Sequence, residues 1–197
     1  FMKKLTQVEF KERRDQLAEL MGPNSVAIIA TSPVAMRNRD ADYKYRADSS
    51  FFYLTGFAEP EAVAVIETYE SMDEGYTYTL FCRERNREME IWNGYRAGLE
   101  GAIELFEADE SFAIAQLDEE IIAKIVNKDS IESLLHVGMR LDINTLENER
   151  MRITKLLTSN GFYQFNKEYI TYSADTIKNS KNVDLTIHIA PYKTLPD

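Results

Sequence analysis

The sequence is poor in the side chains that most often bind metals or form covalent links. Cys82 is the only cysteine among 197 residues, which excludes an intrachain disulfide and predicts a buried structural thiol. His136 and His188 are the only histidines, and neither belongs to an HExxH motif or to a Cys/His cluster. Since zinc sites are built from such groups, the sequence predicts no zinc site of the usual spacing.

Long apolar runs and positive charge are also scarce. No apolar run approaches the roughly 18 residues that span a bilayer, so no membrane insertion is predicted. No apolar region follows Lys3 and Lys4, so no signal peptide is predicted either. Lysine and arginine number 23 against 33 acidic residues, a formal net charge of −10. Such a surface repels phosphate backbones, which argues against a nucleic-acid partner.

Motifs of a self-sufficient enzyme are missing as well. The chain shows no P-loop, no dinucleotide fingerprint and no recognisable Ser/His/Asp set. Carboxylates are plentiful, so a catalytic pair stays open, but nothing in the pattern singles one out. An independent enzyme is therefore the least supported of the function classes.

What the sequence does contain is an ordinary globular pattern, with 44% hydrophobic and 28% charged residues. Thr6 and Glu9 have capping-box spacing at the start of a first helix. Further elements are predicted from periodicity and composition: strands at 25–30, 51–55, 62–68 and 76–82, a long loop at 32–50, and helices at 97–106 and 116–126. Strands interleaved with helices indicate an α/β fold with a mixed sheet flanked by helices.

The pattern changes after about residue 126. Asp142 is a candidate N-cap for a helix that ends near Asn160 and Gly161. Two strands are predicted after it, at 168–174 and 182–189. We therefore predict two domains, residues 1–126 and 127–197, the second a small α+β unit.

The first domain resembles the N-terminal domain of aminopeptidase P, an Xaa-Pro aminopeptidase with the creatinase/prolidase-type fold. The resemblance covers residues 5–123. It rests on several motifs in series: RNRDADYKYR (37–46), DSSFFYLTGF (48–57), EPEAV (59–63), RERN (83–86) and EIWNGYR (90–96).

This resemblance implies a non-catalytic domain that serves oligomerisation and substrate gating. The parent family removes the residue before proline with two manganese ions, held by a separate C-terminal domain that these residues do not resemble. It therefore implies no catalytic residue, metal ligand or cofactor in this chain, and as partners a second copy or its own catalytic domain. The implied compartment is the cytoplasm.

Three residues are carried over as gating candidates. The family's tryptophan, which reaches a neighbouring subunit's active site, maps to Trp92, and an aspartate of the same role maps to Asp40. Arg37 stands beside Asp40 in the same run. The alternatives are that Trp92 packs beneath its own loop, and that Arg37 and Asp40 form a solvated loop with a local salt bridge.

The second domain resembles a POTRA-type domain of an outer-membrane assembly factor in the form found in Bacteroidetes. The similarity covers residues 128–193 and rests on GMRLD (138–142), LENERMRI (146–153), NGFYQFNKEYI (160–170) and VDLT (183–186). It implies a protein-interaction module that works in the periplasm. Because the two resemblances imply different compartments, an engineered chimera of both is one hypothesis and a divergent region of one protein is the other.

Overall fold

The first part of the chain is a layer of helices against a four-stranded mixed sheet. The computed structural model describes residues 5–39, 41–176 and 182–190, and the chain divides between Gln116 and Leu117 into two units. The elements of the first unit are α1 (Gln7–Met21), β1 (Val26–Ala30), β2 (Met36–Asn38), β3 (Ala41–Asp42), α2 (Ser49–Thr55), β4 (Val63–Thr68), β5 (Tyr76–Cys82), α3 (Arg87–Asn93), α4 (Gly98–Phe106) and β6 (Glu110–Ala113).

The sheet has the order β1-β4-β5-β6, and its pairs are antiparallel except the last. Val65 lies between Ile28 of β1 and Thr79 of β5, whereas β5 and β6 run parallel. β2 and β3 form a separate antiparallel pair. The predicted mixed sheet with flanking helices is therefore confirmed.

One face of the sheet carries the core of this unit. Alternate side chains of β4 and β5 point to the same face, because side chains alternate along a strand. The buried side chains that meet there include Phe51, Phe57, Ala64, Ile66, Tyr78, Leu80 and Ala102. Burial of this apolar surface is the main favourable contribution to the folding of the unit.

The prediction of a strand at 51–55 is wrong, because these residues belong to helix α2. The Asp48 carboxylate accepts the N–H groups of Ser50 (2.8 Å) and Phe51 (3.0 Å), so the helix is capped at its first turn. Gly56 ends it in the left-handed conformation. The predicted loop at 32–50 is also corrected, since it contains the β2–β3 pair and the start of α2.

The other predicted elements of this unit are confirmed to within two residues. β5 has the predicted bounds, and α4 begins one residue after its predicted start. The capping box of α1 is also present: the Thr6 N–H donates to the Glu9 carboxylate over 2.7 Å. α3 and β6 were not among the predictions.

The second unit packs two helices against a two-stranded antiparallel sheet. Its elements are α5 (Leu117–Lys128), α6 (Ile143–Ser159), β7 (Ile170–Thr176) and β8 (Val183–Ile189). The Asp142 carboxylate caps α6 by accepting the Thr145 N–H over 3.1 Å, as the sequence predicts. Within the described part of the chain, no helix has the length and apolar character needed to cross a membrane.

The division of the chain lies ten residues before the predicted one at 126/127. α5 is the reason, since its Ile122 is buried in the core of the second unit with Ile153, Leu157 and Ile170. The whole of α5 therefore belongs to the second unit, whereas the sequence prediction placed most of this helix in the first domain.

Candidate functional site

Trp92 lies on α3, within the connection that joins β5 to the parallel strand β6. The helix is short and has a cap at each end. The side-chain oxygen of Asn86 accepts the N–H groups of Glu88 and Met89, each over 3.1 Å. At the other end the Gly94 N–H donates to Glu90 O, and Gly94 has a φ of 82°, which favours glycine. The residues from Arg83 to Gly98 are called the Trp92 segment below.

The Trp92 segment presents large apolar side chains to solvent. Trp92 is 84% exposed, Ile91 79% and Tyr95 62%, and no residue of α3 is buried. Trp92 therefore does not pack beneath its own loop, which was the alternative to a gating role. Aromatic side chains exposed together in this way are typical of surfaces that bind another protein or a ligand.

Arg85 links the N-terminal side of this segment to α3 and to its C-terminal side. Its guanidinium group donates to both carboxylate oxygens of Glu90, each over 3.2 Å, and lies 5.3 Å from the ring centre of Tyr95. The hydrogen bond from Arg85 lowers the pKa of Glu90 and raises that of Arg85 itself. The Arg85 side chain is 52% exposed and that of Glu90 14%, so the pair lies at the edge of the solvent and links the start of the segment to α3.

The base of the segment is fixed by Glu59, which lies between α2 and β4. Glu59 Oε1 accepts the backbone N–H of Ala97 over 2.7 Å, and Glu59 Oε2 lies 3.7 Å from a guanidinium nitrogen of Arg83. The Cys82 thiol donates to Gly98 O over 3.6 Å. Burial, together with the nearby Glu59 charge, raises the pKa of Cys82 to about 11. The thiol predicted to be structural is thus buried and protonated at neutral pH.

Arg37, the second of the three candidates, lies on β2. Arg37 is exposed on β2, with its guanidinium carbon 6.0 Å from the ring centre of Tyr43. Asp40 lies outside the described residues. Within the described ranges, no hydrogen bond, ion pair or ring contact joins Arg37 to Trp92. The three predicted residues therefore stay gating predictions, and the structure does not bring Arg37 and Trp92 into contact.

Metal-binding groups do not cluster in the described parts of either unit. Among residues 5–39, 41–176 and 182–190, no group of three or more His, Cys, Asp or Glu side chains could hold a metal ion. A dinuclear manganese site needs several carboxylates that converge on two ions. The described residues of this chain therefore do not fit the ions that the parent family uses.

The four-stranded mixed sheet with its flanking helices matches the fold of the N-terminal domain of aminopeptidase P. The family "Aminopeptidase P, N-terminal domain" matches residues 10–133. This match covers more than half of the chain, and the chain belongs to that family.

Curated relatives and solved structures agree with this family. The chain is 38% identical over 120 residues to the Xaa-Pro aminopeptidase of Escherichia coli. This alignment covers 61% of the chain and 27% of the relative. Among solved structures, zinc-substituted E. coli aminopeptidase P in complex with product matches with a TM-score of 0.59 and 36% identity, over 62% of this chain and 28% of that one. The chain thus spans just over a quarter of the length of these E. coli relatives.

The similarity to peptidases extends into the second unit in some relatives. Xaa-Pro aminopeptidase 3 of Rattus norvegicus is 26% identical over an alignment that covers 81% of this chain, about 160 of its 197 residues, and 40% of the relative. That stretch is longer than the predicted first domain of 126 residues. The comparisons give no support to the POTRA resemblance or to a chimera.

Proposed function

We propose that this chain is the non-catalytic N-terminal domain of an Xaa-Pro metalloaminopeptidase, and that the Trp92 segment gates the active site of a neighbouring subunit. The observation that carries the proposal is the exposure of Trp92, Ile91 and Tyr95 on a helix whose base is anchored to the domain core. The proposed gating role requires oligomerisation, because a side chain can reach another subunit only in an assembled enzyme. Arg37 and Asp40 are proposed as further gating residues.

Exposure and anchoring together support this role. A large aromatic side chain is costly to leave in water, and its burial against a partner contributes more to binding than most contacts do. Anchoring the segment limits the conformational entropy that is lost when the partner binds.

The test is a domain exchange in the E. coli Xaa-Pro aminopeptidase, whose N-terminal segment aligns with 120 residues of this chain. We expect the exchanged enzyme to cleave Xaa-Pro peptides in the presence of manganese. Trp92→Ala in that enzyme should lower kcat/KM about tenfold, because loss of an aromatic anchor costs more than about 1 kcal/mol of contact energy.

Leu20→Ala is the matched control, since Leu20 is 86% exposed on α1 of the same unit, close to the 84% of Trp92. We expect L20A to retain the activity and the oligomeric state of the exchanged enzyme. Equal kcat/KM for the W92A and L20A enzymes would contradict the proposed gating role.

A further inference from the structure

The Trp92 segment leaves the core of the first unit and returns to it at neighbouring points. It leaves at Arg83, directly after β5 ends at Cys82, and returns at Ala97, directly before α4 begins at Gly98. The contact between the Cys82 thiol and Gly98 O joins the two ends of this excursion. Trp92 lies between these ends, on a helix that contributes no buried side chain. Its direction therefore depends on how the base is held.

One side chain from elsewhere in the sequence contacts both ends of the segment. Glu59 Oε1 accepts the Ala97 N–H at 2.7 Å, a short hydrogen bond between a backbone donor and a charged acceptor. Glu59 Oε2 faces the guanidinium group of Arg83 at 3.7 Å, and the two side chains are only 18% and 12% exposed. An ion pair shielded from water to this extent is screened less than one at the surface.

Glu59 is itself held in place from the opposite side. The Tyr45 hydroxyl donates to Glu59 O over 3.3 Å, and Tyr45 and Thr31 share a hydrogen bond of 2.7 Å. The chain at Thr31 is bonded in turn to the residue before β4, since the Thr31 N–H donates to Ala62 O over 3.0 Å. The backbone of Glu59 is therefore held by contacts outside the segment, while its carboxylate contacts the segment.

The backbone at the base is also closely packed at Gly98. Gly98 has a φ of 68°, and a Cβ atom built there would lie 2.4 Å from Arg85 Cγ. The backbone at the return point thus passes directly against the side chain that pairs with Glu90. Gly98, the first residue of α4, is therefore packed against Arg85 near the start of the segment.

We propose that Glu59 is a positioning residue for Trp92: its carboxylate closes the base of the Trp92 segment and so fixes the direction in which Trp92 is presented. This inference rests on the proposed function of Trp92. Both contacts of Glu59 lie within this chain, so the position of the segment can be tested without the partner that Trp92 would reach.

The test uses the complete 197-residue chain and two independent measurements. Trp92 is the only tryptophan, so time-resolved fluorescence anisotropy reports on this segment without labelling. Hydrogen exchange followed by mass spectrometry reports on the backbone amides of 84–97. Glu59→Ala removes both contacts, whereas Glu59→Gln keeps an acceptor for Ala97 and removes the charge that faces Arg83.

In E59A we expect the amides of 84–97 to exchange about tenfold faster, with a larger amplitude of fast Trp92 motion and unchanged exchange in β4 and β5. E59Q should show an intermediate effect. Glu70→Ala, an exposed carboxylate that follows β4, is the control and should change neither readout.

Two results would overturn the proposal. The first is wild-type anisotropy and exchange in folded E59A and E59Q. The second is faster exchange throughout the first unit, which would make Glu59 a general stability residue. If E59A does not fold, E59Q decides by the same criteria. A result in which the segment loosens but W92A leaves the exchanged enzyme unchanged would confirm the positioning role and contradict the gating function.

Discussion

At the scale of single residues, the second unit is organised around one buried carboxylate. Glu149 on α6 is 1% exposed, and it accepts hydrogen bonds from Ser133 Oγ (2.8 Å), the Leu134 N–H (2.9 Å) and Arg152 Nε (2.9 Å). Arg152 also pairs with Asp129 at the end of α5. The carboxylate thus ties the chain between the two helices to α6.

This arrangement predicts a stability that depends on pH. Burial by itself raises the pKa of Glu149, but the hydrogen bonds from Arg152, Leu134 and Ser133 outweigh it, and the net pKa is lowered from its ordinary value of 4.5. A lowered pKa means that the ionised carboxylate stabilises the fold above about pH 4.5, and that this contribution is lost as the pH falls through the lower folded-state pKa.

We therefore expect Glu149→Gln to lower the free energy of unfolding by about 2 kcal/mol at pH 7, since charged hydrogen bonds to a buried group are lost. The difference from wild type should shrink below about pH 4.5. Urea unfolding at a series of pH values measures it. Glu132→Gln, at an exposed glutamate in the same connection, should have little effect, and a pH-independent difference for E149Q would contradict the argument.

At the scale of elements, α2 depends on the glycine that ends it. Gly56 has a φ of 67°, and an added Cβ would lie 2.5 Å from the Phe10 ring. Phe10 is buried and packs edge-to-face against Phe52 at 5.8 Å, so the ring has little freedom to move away.

Gly56→Ala should cost about 3 kcal/mol, of which about 1 is left-handed backbone strain and the rest is the displaced ring. Gly75→Ala separates the two contributions, because Gly75 has a similar φ of 79° and no atom within 4 Å of the added Cβ. It should cost about 1 kcal/mol. Thermal or urea unfolding measures both variants. Equal losses of unfolding free energy in G56A and G75A would show that the Phe10 contact adds no cost to the substitution.

The same helix shows what sequence reasoning can and cannot find. The run Phe51-Phe52-Tyr53 has high strand propensity, and it predicted a strand. The helix forms because Asp48 caps it and because Phe51, Leu54 and Thr55 put buried side chains on one face. The sequence therefore carried helix signals at Asp48 and Gly56 and a strand signal in the aromatic run. Burial of one helix face against the rest of the unit favoured the helix.

The candidate site was only partly predictable, for a related reason. Trp92 could be singled out from the motif around it, whereas α3 and its caps at Asn86 and Gly94 were not predicted. Glu59 could not be found in this way, since it meets Ala97 across 38 positions of the chain. Contacts of that range are set by how β4 and β5 pair, which no local pattern specifies.

At the scale of the whole molecule, the described residues contain no cluster of side chains that could hold a metal ion. Binding of manganese with a dissociation constant of about 10 μM would stabilise the folded state by about 2.7 kcal/mol at about 1 mM metal. A gain of that size would raise Tm by several degrees.

We expect neither about 1 mM manganese nor EDTA to shift Tm by more than about 1 °C in calorimetry of this chain. We also expect no release of an N-terminal residue from an Xaa-Pro peptide above the metal-free blank. Metal-dependent turnover would contradict the proposal that this chain is non-catalytic.

The parallel pairing of β5 and β6 has a consequence for how such domains can diversify. Parallel neighbours require a crossover connection, and here it occupies the 27 residues between Cys82 and Glu110. α4 is the helix that returns the chain across the sheet to β6. The Trp92 segment is an additional excursion before α4, and its two ends are joined by the contact between Cys82 and Gly98. Doubling a loop of this kind costs only about 0.6 kcal/mol in closure entropy. A change in the length of the segment between Arg85 and Arg96 would therefore alter the reach of Trp92 while the sheet beneath stays the same.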